Sequence, residues 1–146
     1  MAKIVLAPYG SLGDLHPFLA LAIELRKRGH EITICTLEVY REKIDTLGFK
    51  FFPLRPDISI EDRELARELM DTRSGSEKLV KDLILTSIQS MFEDLMKATE
   101  NAETLIAGEV VFASHSVAEK QNIKLITTTL APLSMFSAYE ENVYPN

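Results

Sequence analysis

The chain has 146 residues, 46% hydrophobic and 26% charged, with a formal net charge of −6 at pH 7, which describes one soluble globular domain able to build a core without disulfides or metals. A single cysteine, Cys35, excludes a disulfide framework or a cysteine zinc cluster and fits a reducing cytoplasm. The acidic balance argues against nucleic acid as a partner, and no apolar run approaches the ~18 residues that a membrane helix needs.

Lys3 to Pro8 is a short apolar run rich in β-branched residues and predicts a strand buried on both faces. The turn Tyr9-Gly10-Ser11-Leu12-Gly13-Asp14 follows. From Leu15 to Arg28 the apolar positions Leu15, Phe18, Leu19, Ala22, Ile23 and Leu25 recur at helical spacing. Asp14 reads as the N-cap, Pro17 is tolerated in the first turn, Arg26-Lys27-Arg28 suit the negative end of the helix dipole, and Gly29 supplies the stop. Glu31 to Thr36 predicts a second strand, Glu38 to Leu47 a helix ended by Gly48, and Phe49 to Leu54 a third strand.

Arg55 to Glu77 is polar and reads as a long irregular excursion with one helix over Glu61 to Asp71. Lys78 to Thr99 predicts one continuous amphipathic helix, whose Met91, Phe92 and Met96 read as core rather than as a ligand surface. Thr104 to Ala107 forms a fourth strand ended by Gly108, Glu109 to Gln121 a helix, and Lys124 to Thr129 a fifth strand. The alternation predicts a doubly wound, Rossmann-like α/β domain over residues 1–146, with about five parallel strands in the order 3-2-1-4-5 and helices on both faces.

Ligands bind such sheets beyond the carboxyl ends of the strands, where the strand order reverses. The loop Pro8 to Asp14, the stretch Ala107 to Val111 and the segment Leu130-Ala131-Pro132 should meet there. Gly10 and Gly13 have the spacing of the last two glycines of a dinucleotide fingerprint, but Pro8 stands at the first, and Thr36 at the end of the second strand is not acidic. Asp14 would also occupy the helix terminus that a pyrophosphate needs, so no dinucleotide cofactor is expected. A carboxylate beside two glycines at this point has two readings, a helix cap worth ~1 kcal/mol or a general base within reach of a ligand hydroxyl. His16, His30 and His115 are scattered without metal-ligand spacing, so no metal site is expected.

Gly10-Ser11-Leu12-Gly13-Asp14-Leu15-His16-Pro17, followed by Arg28-Gly29-His30-Glu31, resembles the N-terminal domain of GT-B nucleotide-sugar-dependent glycosyltransferases that act on sterols, antibiotics and other lipids or natural products. Val117-Ala118-Glu119-Lys120 and Thr127-Thr128-Thr129-Leu130-Ala131-Pro132 are similar to a second stretch of the same family. The resemblance covers both ends of the chain and is weak between Arg55 and Ala102, where such enzymes vary with acceptor. It implies inverting transfer of a hexose from a nucleotide-diphosphate sugar to the hydroxyl of a small-molecule acceptor. Asp14 falls on the base position, and Gly10, Ser11 and Gly13 fall on the loop that approaches the donor diphosphate. Gly108, Glu109, Leu130 and Pro132 would border the acceptor cleft, and His16 has two readings, a place at that cleft or, the stronger one, a solvent-facing or capping role. The family's His-x-Gly-Gly donor loop occurs nowhere in the 146 residues. The chain is therefore expected to be an N-terminal half, inactive without a donor domain, cytoplasmic, and without a transmembrane segment; peripheral membrane contact stays open. A stand-alone ligand-binding or interaction module on the same scaffold is the competing reading.

Overall fold

The computed structural model describes residues 1–58, 63–71 and 73–130. Its strands are β1 (Lys3–Ala7), β2 (Glu31–Thr36), β3 (Lys50–Pro53), β4 (Thr104–Gly108) and β5 (Lys124–Thr128), joined in one parallel sheet of order β3-β2-β1-β4-β5. The order and the Rossmann-like class are those predicted. β1 lies at the centre, with Leu6 opposite Ile34 of β2 and Ile106 of β4. Central strands have no solvent face, which is why Val5, Leu6, Ile34 and Leu105 are apolar and buried. Right-handed crossovers place α1 (Leu12–Lys27) and α2 (Arg41–Thr46) on one face and α5 (Ile88–Ala98) and α6 (Ser114–Gln121) on the other. Leu15, Phe18, Leu19 and Ala22 bury one stripe of α1; Met91 and Leu95 do the same on α5 and Val117 on α6.

Five segments differ from the sequence reading. The N-cap of α1 is Ser11, not Asp14, and the helix starts at Leu12 rather than Leu15. Ser11 has extended dihedrals (φ −80°, ψ 179°), and its hydroxyl accepts from the Gly13 N–H while Asp14, three residues on, bonds back to Ser11. This is a capping box with aspartate in the reciprocal position. The predicted helix 38–47 is a 3₁₀ turn (Glu38–Tyr40) leading into α2.

The excursion after β3 is more regular than expected, holding α3 (Arg63–Leu69) and α4 (Gly75–Lys78); residues 61–62 of the predicted helix lie outside the described residues. Lys78–Thr99 is not one helix. A π-helical segment (Leu79–Ile84) and a 3₁₀ turn (Leu85–Ser87) precede α5. Thr86 sits at the break, its hydroxyl donating to the carbonyls of Asp82 and Leu83 and competing with the regular ladder. Finally, α6 starts at Ser114 rather than Glu109, because Val111 N–H bonds to Gly108 O and Ser114 N–H to Val111 O, which turns 108–114 into consecutive tight turns.

Candidate active site

The carboxyl ends of β1, β2 and β4 open onto a cavity of about 870 Å³. Gly10, Ser11, Gly13 and Asp14 form its wall after β1; Gly108 and Glu109 contribute after β4, and Thr128 and Leu130 after β5. Pro132 lies outside the described residues. The far wall is apolar and comes from the excursion after β3, through Ile58, Leu69, Met70 and Leu79. A volume of this size falls within the range of about 300–1,000 Å³ common to small-molecule sites.

Asp14 is half-buried on this wall. Its Oδ2 accepts the Ser11 N–H at 2.7 Å and the Ser11 hydroxyl at 2.9 Å. Among the described residues no protein donor is recorded on Oδ1. The carboxylate is thus clamped through one oxygen while it lines an open crevice. Ser11 has its hydroxyl hydrogen committed to Asp14 and accepts from Gly13 N–H at 3.2 Å. Gly10 has φ +134°, and a Cβ there would stand 2.4 Å from Asp14 Oδ2, so glycine is needed for both conformation and space.

Of its two readings His16 takes the solvent-facing one and does not line the cavity. Two residues past Asp14, it points about 200° around the helix from it. It is exposed on α1 with Nε2 3.1 Å from Lys43 Nζ. Phe18, one full turn past Asp14, lines the cavity instead. Glu38, the nearest acid beyond the end of β2, is paired with Arg41. Met91 is fully buried, and Phe92 and Met96 pack against the core. His30 accepts the Ala2 N–H through Nδ1, and Cys35 is fully buried, which drives its thiol pKa upward. No group of three or more potential metal ligands converges among the described residues.

Sequence reasoning missed the contribution of the segment after β2. Leu37, Val39 and Tyr40 line the cavity, and the Tyr40 hydroxyl donates to Gly10 O at 3.0 Å. The signal was available in the strand order, since β2 runs parallel beside β1 and its carboxyl end must lie next to the Gly10 loop.

Residues 4–135, almost the whole chain, match the glycosyltransferase family 28 N-terminal domain. The chain belongs to this family. It is 32% identical to UDP-sugar-dependent glycosyltransferase 52 of Dictyostelium discoideum over 98% of its own length and 8% of that protein's. Against sterol 3-beta-glucosyltransferase UGT80B1 of Arabidopsis thaliana it is 29% identical, over 84% of the chain and 21% of that protein. Glycosyltransferase GtfE of Amycolatopsis orientalis is 28% identical over 94% of the chain and 33% of its own length. The chain therefore spans a third or less of these relatives. Among solved structures, the calicheamicin glycosyltransferase CalG4 superposes with a TM-score of 0.67 at 16% identity, over 95% of this chain and 34% of that one. SnogD from Streptomyces nogalater gives 0.66 at 14% identity, over 91% and 35%. At these identities the superpositions establish the fold. Among the described residues of this family 28 domain, no helix is long and apolar enough to cross a membrane.

Proposed function

We propose that this domain is the acceptor-binding half of an inverting glycosyltransferase and that Asp14 is its general base. The reading is carried by one observation: a carboxylate on the cavity wall is anchored through Oδ2 and, among the described residues, takes no protein donor on Oδ1. An acceptor hydroxyl beside Oδ1 would give up its proton to that oxygen as its own oxygen forms the bond to the anomeric carbon. The bond from that carbon to the diphosphate breaks on the opposite face, the configuration inverts, and the nucleoside diphosphate leaves with the electron pair. The diphosphate needs donors of its own. We assign these mainly to a second, donor-binding domain, with the Gly10–Gly13 loop approaching from this side. Residues 1–146 alone are then inactive.

The apolar far wall formed by Ile58, Leu69, Met70 and Leu79 suits a largely hydrophobic acceptor carrying a hydroxyl. The relatives named as sterol glucosyltransferases agree with that class. Hexose transfer from a nucleotide-diphosphate sugar to such an alcohol, in the cytoplasm or at a membrane surface facing it, is the activity we assign.

The test is Asp14→Asn in the protein carrying this domain with its donor half, assayed with UDP-glucose and a sterol in detergent micelles. Asparagine keeps an acceptor for the Ser11 cap, so the fold should survive. Turnover should fall at least ~10²-fold, the scale of lost general-base catalysis. A variant turning over within threefold of the parent would remove Asp14 from the chemistry.

A further inference from the structure

One peptide group connects Tyr40 to Asp14. The Gly10 carbonyl and the Ser11 N–H belong to the same planar unit, in which the two point in opposite directions. Its oxygen accepts the Tyr40 hydroxyl at 3.0 Å, and its N–H donates to Asp14 Oδ2 at 2.7 Å. Fixing one end of a rigid plane fixes the direction of the other.

This plane has special need of an external hold. Gly10, at φ +134°, has no side chain to restrict rotation about its own backbone, so the peptide after it can turn more easily than after any other residue. Turning it would take the Ser11 N–H off the carboxylate. Tyr40 is suited to prevent this. It sits in the 3₁₀ turn after β2, and the pairing of β2 with β1 sets it beside the Gly10 loop. Its ring is buried, 5% exposed, so its hydroxyl has little freedom to swing away. Burial and then the Asp14 charge raise the phenol's pKa, so it stays a donor across the physiological range. A carbonyl that accepts a hydrogen bond also polarises its own amide, which strengthens the N–H bond to Oδ2.

We infer that Tyr40 is a positioning residue for the base: its hydroxyl orients the Gly10–Ser11 peptide, which clamps Asp14 through Oδ2 and leaves Oδ1 directed at the acceptor. This rests on the reading of Asp14 as the base.

Tyr40→Phe tests it by deleting one oxygen and keeping the ring. In the 146-residue chain, the Ser11 amide should shift upfield and lose at least about fivefold of its exchange protection, the effect of weakening one hydrogen bond, while core amides such as that of Leu6 are unmoved. An unchanged Ser11 amide overturns the inference without any assay. In the complete protein, with UDP-glucose and a sterol, kcat should fall about tenfold, the value of one hydrogen bond realised in the transition state, and acceptor KM should stay within twofold. The deciding measurement is the double variant. With Asn at position 14 there is no base to aim, so Tyr40→Phe should then change the residual rate by less than twofold. An equal loss with Asp or Asn at position 14 would make Tyr40 merely structural and overturn the inference. Full activity of Asp14→Asn would instead overturn the assignment of the base, and a low rate for Asp14→Asn with a silent Tyr40→Phe would overturn the role of Tyr40 alone.

Discussion

The loop from Pro8 to Asp14 and the crossover from Leu54 to Glu103 wall the same cavity, but they are held by different means. The loop is short, follows the central strand, and is fixed by hydrogen bonds to and from its own backbone: Ser11 with Gly13 and Asp14, and Tyr40 with Gly10. The crossover is long and assembled from short helical pieces, with side-chain pairs such as Lys78–Glu68 and Lys81–Glu77 spanning them. Most such pairs are solvent-exposed and individually worth little. Backbone-anchored geometry resists change in side chains, whereas a wall of replaceable apolar residues on charge-laced helices can vary while the Asp14 carboxylate stays in place. With Asp14 as the proposed base, a single fold would thereby separate where the chemistry occurs from what is admitted to it.

The sharpest break of that contrast is Gly10→Ala. The added carbon would lie 2.4 Å from Asp14 Oδ2 and 2.9 Å from its Cγ, on a backbone at φ +134°. Either the carboxylate moves or the loop rearranges. Displacing a reacting group by about 1 Å can cost ~10²-fold in rate, so steady-state kinetics should show that loss in kcat with melting temperature only modestly reduced. A rate within threefold of the parent would mean that the loop is not the rigid element described.

The crossover should respond in the opposite way, in stability rather than in chemistry. Its entry is tied to α5 by Asp94, 6% exposed, which accepts the backbone N–H of Arg55 at 3.0 Å and the guanidinium at 2.8 and 2.7 Å. Asp94→Ala strips three donors of their acceptor, and chemical denaturation should show a loss of about 1–3 kcal/mol. At saturating acceptor, kcat should be retained. A kcat loss larger than the change in acceptor KM would contradict the separation between the two walls.

The two regions also differ in how far they could be read in advance. The five strands, their order and the meeting of Gly10, Ser11, Gly13 and Asp14 with Gly108, Glu109 and Leu130 were legible, because apolar periodicity and parallel topology are set by residues close in sequence. The Ser11 cap was misread because Ser11 and Asp14 both suit an N-cap, and only the backbone dihedrals decide between them. His16 was kept as a weaker cleft candidate by its proximity in sequence, and the angle around the helix decides for its solvent-facing reading. The break before α5 was hidden since Thr86 fits a helical pattern until its hydroxyl is seen bonding backwards. Leu69 and Met70 fall in the polar excursion and Leu79 in the predicted amphipathic helix, and nothing marked them as cavity wall because their partners across the cavity are distant in sequence.

The seam between the two walls gives the smallest effect. Tyr9, at the start of the loop, donates to Pro56 O at 2.6 Å at the entry to the crossover, much as Tyr40 donates to the loop from the turn after β2. Burial raises both phenols' pKa values, with the charges of Asp57 and Asp14 adding to it. Above pH ~10 the unfolded chain loses these two protons while the folded chain keeps them. The folded state then binds more protons, so the stability these groups contribute is complete below that pH and declines as pH rises. The buried Cys35 thiol, also raised, acts in the same direction and from a lower pH. Melting temperature should therefore fall steeply between about pH 9 and 11, and Tyr9→Phe should flatten the fall more than Tyr40→Phe, since Tyr9 is the more strongly shifted of the two. Equal slopes for the parent and both variants would mean that neither tyrosine holds its proton through the structure. A flattening by Tyr40→Phe alone would place the pH-sensitive contact inside the loop instead of at its seam with the crossover.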